Sequence, residues 1–373
     1  MIRVDSRTKS RSNPTVTQTV IGYFISPHGF GHAARAAAVM HAMERDVRFE
    51  IFTRVPRWFF EDSLAADFGY HSVLTDVGLA QETSLREDMA LTLERLEDFF
   101  PFRPERVGQL AEQVKRLRCA CIVCDIAPLG IAVAHAAGIP SILVENFTWD
   151  WIYAGYVAEE PRLALHIDYL RAVFSQADYH VQTEPVCEYR SATLVTRPVS
   201  RPIRTSAAAI RARLGIPAQA RAVLITMGGI PAQHAFLDRL ERVADVFFVI
   251  PGSGDTQKRR RNVVFLPHHS NFFHPDLLNA CDAVIGKCGY STVAEAYHAG
   301  IPFGYVPRAR FRESAVMGAF IEKEMRGFEI PEVEFQNGNW LSALPDLLAL
   351  PRIARAEPNG ATQVAQFVAG LLQ

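Results

Sequence analysis

Long apolar runs are missing from this sequence: no stretch reaches the roughly 18 consecutive apolar residues that a membrane-crossing helix needs. An excess of one charge is missing as well. The 39 Lys and Arg stand against 40 Asp and Glu, a net charge of −1, which argues against nucleic acid as the main partner. Cysteine is sparse, six in 373 residues. Cys119, Cys121 and Cys124 fall on one predicted strand, where Cys119 and Cys121 share a face and Cys124 points the other way. That arrangement suits neither a zinc knuckle nor a disulfide scaffold, and implies buried free thiols in a reducing, cytoplasmic compartment. Low-complexity blocks and short-period repeats are also lacking. Residues 1–19 are polar and basic (Arg3, Arg7, Lys9, Arg11) without an apolar centre, which implies a disordered tail and not a secretory signal.

What remains is a globular composition, 49% hydrophobic and 21% charged, long enough for two domains that each bury a core. Short β-branched or aromatic runs alternate with amphipathic stretches, the pattern of parallel α/β architecture. The first half predicts strands at 20–26, 48–53, 71–75, 119–125, 141–145 and 179–182, with helices at 33–44, 104–118, 129–137 and 162–176. The second half predicts strands at 222–227, 246–250, 263–266, 283–286 and 303–306, with helices at 232–243, 291–299 and 316–324. Between them, Arg197-Pro198-Val199-Ser200-Arg201-Pro202-Ile203-Arg204 disfavours regular structure and suits a linker. The expected organisation is therefore a domain over 20–197, a linker over 198–204, a second domain over 205–350 and a terminal segment over 351–373 with an amphipathic helix. Ligands of open parallel sheets lie outside the carboxyl ends of the strands, so two such domains facing each other would enclose a cleft.

The most informative stretch is Gly286-Lys287-Cys288-Gly289-Tyr290-Ser291-Thr292-Val293-Ala294-Glu295. A buried strand ends in a Gly-x-x-Gly turn, and Ser291 and Thr292 stand where a helix begins. The first amides of a helix lack internal partners and carry partial positive charge, so they receive anions. Lys287 adds a point charge, and Glu295, in the first turns of the helix, can accept from vicinal hydroxyls such as those of a ribose. An ordinary strand–turn–helix capped by Ser and Thr is the alternative. A second turn, Thr226-Met227-Gly228-Gly229-Ile230-Pro231, opens the same half, and Gly228 and Gly229 offer a further wall for a diphosphate.

The first half opens with Pro27-His28-Gly29-Phe30-Gly31-His32-Ala33-Ala34-Arg35. Gly29 and Gly31 permit a tight turn and close approach to a ligand. His32 begins the next helix, whose N-terminus disfavours imidazolium. Asp125 ends a strand at the same sheet edge and is placed to fix the tautomer of His32. The competing reading makes His32 and Asp125 helix caps. His28, the rival base, fits a structural role better. Among the other strand ends, His268 and His269 suit solvent or base-stacking positions more than metal binding. The run Asn146-Phe147-Thr148-Trp149-Asp150-Trp151 is dense in aromatics that suit a sugar ring or a core equally well.

These segments resemble the GT-B glycosyltransferases, the superfamily of the peptidoglycan transferase MurG and the plant UDP-dependent transferases. In that likeness Lys287 stands where the plant enzymes carry a phosphate-binding His, Ser291 and Thr292 on their Asn-Ser, and Glu295 on their ribose-binding Glu. His32 and Asp125 correspond to the catalytic His–Asp pair. Gly31, Gly289, Leu266, His268, Arg308 and Glu313 fall among the positions expected to hold the sugar nucleotide, and Phe30, Asn146, Trp149 and Asp150 at the acceptor side. Three segments, at 29–35, 145–154 and 286–292, also resemble the N-terminal glycosyltransferase-like domain of plant L-arabinokinases; the kinase half is absent from this chain.

The resemblance implies two Rossmann-like domains and an inverting glycosyltransferase. It would use a nucleoside-diphosphate sugar, UDP foremost, as co-substrate with no cofactor or metal, because no Asp-x-Asp motif appears in the relevant loops. The acceptor would be a small-molecule or lipid-linked hydroxyl. The alternatives are a sugar-nucleotide-binding regulator that does not transfer, and a sugar-nucleotide epimerase on the same scaffold.

Overall fold

The computed structural model describes residues 18–43, 47–83, 85–227 and 235–372. The basic tail, except for its last two positions, and the pair Gly228 and Gly229 therefore lie outside the described residues.

The first sheet comprises β1 (Thr19–Ile25), β2 (Val47–Thr53), β3 (Gly69–Ser72), β4 (Cys119–Asp125), β5 (Ser141–Glu145), β6 (Tyr179–Thr183) and β7 (Leu194–Thr196). Their order is β3-β2-β1-β4-β5-β6-β7, and every neighbouring pair is parallel. The second sheet comprises β8 (Arg221–Thr226), β9 (Val246–Ile250), β10 (Lys258–Arg260), β11 (Val263–Phe265), β12 (Ala283–Lys287), β13 (Phe303–Val306) and β14 (Gly327–Glu329). The order here is β10-β11-β9-β8-β12-β13-β14, parallel except for the β10–β11 pair. Central strands are apolar on both faces: β8 is buried from Ala222 to Thr226 and β5 along its whole length. Parallel sheets covered by helices on two sides require that.

Each sheet places its first strand next to a strand from the far side of the order, β1 beside β4 and β8 beside β12. Those are the switch points where connections leave in opposite directions and a crevice opens. The β1–β4 register pairs Ile25 with Asp125, so the turn after β1 and the carboxylate ending β4 emerge side by side. The second sheet does the same with Thr226 and Gly286. There the backbones are so close that a Cβ at Gly286, whose φ is +156°, would stand 1.8 Å from the Thr226 carbonyl oxygen. Only glycine fits.

The two-sheet α/β expectation holds, and the anticipated strands lie within two or three residues of those observed. Some elements were not anticipated. The helix Met89–Phe99 starts at Asp88, whose carboxylate accepts from the Leu91 amide at 2.9 Å. The edge strands β7, β10 and β14 have three residues each, too few for a periodic signal. The helix expected at 232–243 is a single turn, Leu237–Leu240, among the described residues. Residues 197–206 carry neither helix nor strand. The last helix, Gly360–Leu371, packs on the first, Gly31–Met43. All six cysteines are free thiols, and burial pushes Cys121 up to about 12, far from nucleophilic use.

Candidate active site between the lobes

A cavity of about 490 Å³ lies where the carboxyl ends of the two sheets face each other. The turn after β1 forms one wall, and the turn after β12 with the loop following β11 forms the other. The walls touch: the Phe30 ring lies 5.4 Å from that of His268, and Trp58 stacks on His269 at 4.1 Å. A Cβ added to Gly31 would stand 3.9 Å from the Ser291 hydroxyl of the opposite lobe.

On the first wall, β1 ends, the chain turns, and the helix Gly31–Met43 begins, so His32 sits in its first turn, 7% exposed. Its Nδ1 lies 3.0 Å from Asp125 Oδ1. One turn further along the same helix face, Arg35 grips Asp125 with both arms. Its Nε donates to Oδ2 at 2.8 Å and its Nη2 to Oδ1 at 2.7 Å. Arg35 Nη1 donates to Asn146 Oδ1 at 2.6 Å, and Asn146 Nδ2 donates to Glu313 Oε1 at 2.9 Å. A continuous hydrogen-bonded chain thus runs from His32 across the interface to the second lobe. Burial by itself would raise the Asp125 carboxyl, but the charge and hydrogen bonds of Arg35 hold it below the ordinary carboxylate range. Sequence reasoning gave Arg35 no role. Its position three residues after His32, on one helix face, was the available signal.

On the second wall, Lys287 closes β12 and lines the cavity. Burial, and then the neighbouring Arg308, bring its ammonium down to about 8. Among the described residues the Lys287 ammonium has no hydrogen-bond or ion-pair partner. Gly289 is the N-cap of the helix Tyr290–Ala299, and no side chain caps the first amides. Ser291 and Thr292 in its opening turn also line the cavity. Arg308 pairs with Glu87 of the first lobe, and its guanidinium lies 3.8 Å over the Phe311 ring. Glu313 is raised by burial, against the opposing hydrogen bond from Asn146.

Of the expected site residues, Phe30, Gly31, His32, His268, Lys287, Gly289, Ser291, Thr292, Arg308 and Glu313 therefore line one cavity, with Asp125 behind His32. Four others stand elsewhere. Leu266 is fully buried, with its amide and carbonyl engaged by Ile250 and Ser253. Glu295 is not in the lining itself but is bonded to two residues that are: Oε1 accepts from Arg201 Nε and Nη2 at 3.1 and 2.9 Å, and Oε2 lies 2.7 Å from His274 Nδ1. Both of its oxygens are engaged by these side chains. Trp149 turns its Nε1 to Asp76 at 2.8 Å and packs in the core, and Asp150 accepts from Arg190 at 3.0 Å. Neither lines the cavity. Asn146 lies just behind it, linking Arg35 to Glu313.

His269 Nε2 lies 3.0 Å from Asp62 Oδ2, and no group of three His, Cys, Asp or Glu among the described residues is placed to hold a metal ion. Nor is any described helix long and apolar enough to cross a membrane.

The model of glycosyl transferase family 1 matches residues 19–345. The L-arabinokinase of Arabidopsis thaliana is 27% identical over 361 residues, covering 94% of this chain and 34% of that protein. The chain thus spans about a third of that relative's length. Among solved structures, the calicheamicin glycosyltransferase CalG4 matches with a TM-score of 0.63 at 14% identity, over 96% of this chain and 99% of that one. A UDP-glucosyltransferase of Polygonum tinctorium gives 0.60 at 13%, over 96% and 100%. MurG of Acinetobacter baumannii gives 0.55 at 14%, over 95% and 99%. At such identities the likeness is one of fold, the two facing lobes of the GT-B glycosyltransferases.

Proposed function

The chain belongs to glycosyl transferase family 1, and from that premise we propose that it moves a sugar from a nucleoside-diphosphate sugar to an acceptor hydroxyl, with inversion and without a metal. Asp125 accepts from His32 Nδ1–H, which leaves Nε2 free to take a proton. The acceptor oxygen bonds to the anomeric carbon as the bond from that carbon to the diphosphate breaks, and the acceptor's proton passes to His32 Nε2. Lys287, Arg308 and the uncapped amides of the helix Tyr290–Ala299 balance the charge that develops on the leaving diphosphate. UDP is the proposed nucleotide, on the likeness in fold to the UDP-glucosyltransferase. Six unpaired thiols support a reducing, cytoplasmic setting.

The observation that carries this reading is the facing of the His32–Asp125 pair, across one cavity, by a half-buried Lys287 whose ammonium has no partner among the described residues. Calorimetric titration of UDP, dTDP, GDP and UDP-sugars tests it, and no affinity for any of them would end it. His32→Ala should retain nucleotide affinity and lose turnover.

One observation favours a second reading, binding without transfer. The two-armed grip of Arg35 already pairs the Asp125 charge, so less of it remains to stabilise an imidazolium at His32. Wild-type protein that binds a UDP-sugar tightly and transfers it to no acceptor in a broad screen would decide for that reading.

A further inference from the structure

We propose that His28 is a second substrate-contacting imidazole, a hydrogen-bond donor reaching from the first lobe to the terminal phosphate of the leaving diphosphate. The inference rests on the nucleotide-binding reading above and adds a group which that reading does not use.

The ring sits in a built seat. His28 Nδ1 accepts the Leu79 amide at 3.3 Å, so a neutral ring carries its proton on Nε2. Gly78 passes under the ring with φ +65°, and a Cβ there would stand 2.7 Å from Nδ1 and 2.8 Å from the His28 Cβ. Tyr153 Oη holds that turn by donating to the Gly78 carbonyl at 2.7 Å. Trp149 meets the imidazole edge-on at 5.2 Å. Beneath both, Asp76 accepts from Trp149 Nε1 at 2.8 Å and from Ser26 Oγ at 3.1 Å, while Ser26 Oγ accepts the His28 amide at 3.4 Å.

The ring is therefore fixed by neighbours on its Nδ1 side, while His28 still lines the cavity. No described residue bonds to Nε2. Burial first, and then the charges of Arg308, His32 and Lys287, hold the imidazole well below its ordinary range and so neutral.

The same neighbours identify the ligand oxygen. The cations facing His28 from the opposite lobe are Arg308 and Lys287, which the proposed function assigns to the diphosphate. A neutral N–H in the same cavity strengthens the binding of a phosphate oxygen without adding a third positive charge to a partly buried site. Protonating Nδ1 would break the bond from Leu79, so the tautomer is locked before a ligand arrives. Preorganisation of that kind is effective for charge that appears during reaction.

Titration of UDP and UMP into wild-type protein, His28→Phe and His28→Gln tests this. The Phe variant keeps a ring and removes the donor. It should bind UDP about tenfold more weakly, the size of one hydrogen bond to a charged group, with UMP affinity within twofold of wild type. The Gln variant, which still carries an N–H, should recover part of the loss. A Phe variant that binds UDP as tightly as wild type, or loses UDP and UMP alike, overturns the proposal. Should the variants not fold, long-range 1H–15N correlation spectra of the wild-type imidazoles serve instead. His28 as the Nε2–H tautomer, with that proton shifting on addition of UDP, supports the assignment, and the Nδ1–H tautomer overturns it. Wild-type protein without UDP affinity removes the nucleotide reading and this inference together, whereas UDP binding indifferent to His28 removes the inference alone.

Discussion

The two walls of the cleft handle charge in opposite ways. On the first-lobe side the central charges are paired with each other: Asp125 is held by Arg35 and His32, and Arg35 continues to Asn146. On the second-lobe side the half-buried Lys287 ammonium has no partner among the described residues, whereas Arg308 pairs with Glu87. A paired network is a positioning device, because its geometry is set before any ligand arrives. An unpaired cation partly withdrawn from water is costly to keep and gains most when an anion enters. The first lobe is built to orient, and the second to receive.

Breaking the paired side should have the largest effect. Arg35→Met leaves Asp125 buried without its guanidinium, which should cost about 3–5 kcal/mol of stability, measured by urea unfolding. Arg35→Met combined with Asp125→Asn should recover much of that loss, since the uncompensated charge is gone. If the double variant is as unstable as the single one, the network is not what sets the cost.

Emptying the receiving side should have the reverse signature. Lys287→Met should weaken diphosphate binding about 30-fold or more and yet leave the fold as stable or stabler. The pH dependence has a definite sign. With its folded-state value lowered to about 8, Lys287 loses its charge above that pH, so UDP affinity should fall on going from pH 7 to pH 9.5. Stability should meanwhile rise with pH above about 8, as the unfolded chain then binds the extra proton. The Met variant should show neither slope.

The smallest effect sharpens the contrast within the second lobe. Glu295 is paired as fully as Asp125, with Arg201 and His274. Glu295→Gln should cost about 1–2 kcal/mol in unfolding and change UDP affinity less than threefold. Burial alone would raise this carboxyl, but Arg201 and His274 hold it below 4.5. Its contribution is therefore present above that pH and fades on acidification, a dependence the Gln variant should lack. A large affinity loss would restore Glu295 to the ribose.

Much of the site was legible because it is local. Gly286 to Thr292 is a strand end, a turn and a helix start within seven residues, and apolar runs with glycine punctuation announce each piece. The same holds for Gly29, Gly31 and His32. The pairing of His32 with Asp125 was legible at one remove, since His32 follows the turn after one parallel strand and Asp125 ends another, and parallel sheets place their ligands at that edge. What failed to be legible were partners. Glu295 looked free on its helix because Arg201 lies in the proline-rich connector, outside any periodic pattern. Trp149 and Asp150 looked like acceptor contacts because a sequence records that rings are clustered and not which way they turn. The seat of His28 depends on Gly78 and Leu79, in a segment without regular structure.

Hydrophobic spacing and turn chemistry alone determined that this chain folds as two parallel α/β lobes and which turns line their facing edges, because those signals act over a few residues. Tertiary structure decided which charges are satisfied and which await a ligand. Arg35 and Asp125 are 90 residues apart, Arg201 and Glu295 94, and Asn146 and Glu313 167. Buried ionic groups take whichever partner the packed backbones bring within about 3 Å, and no local pattern encodes that distance.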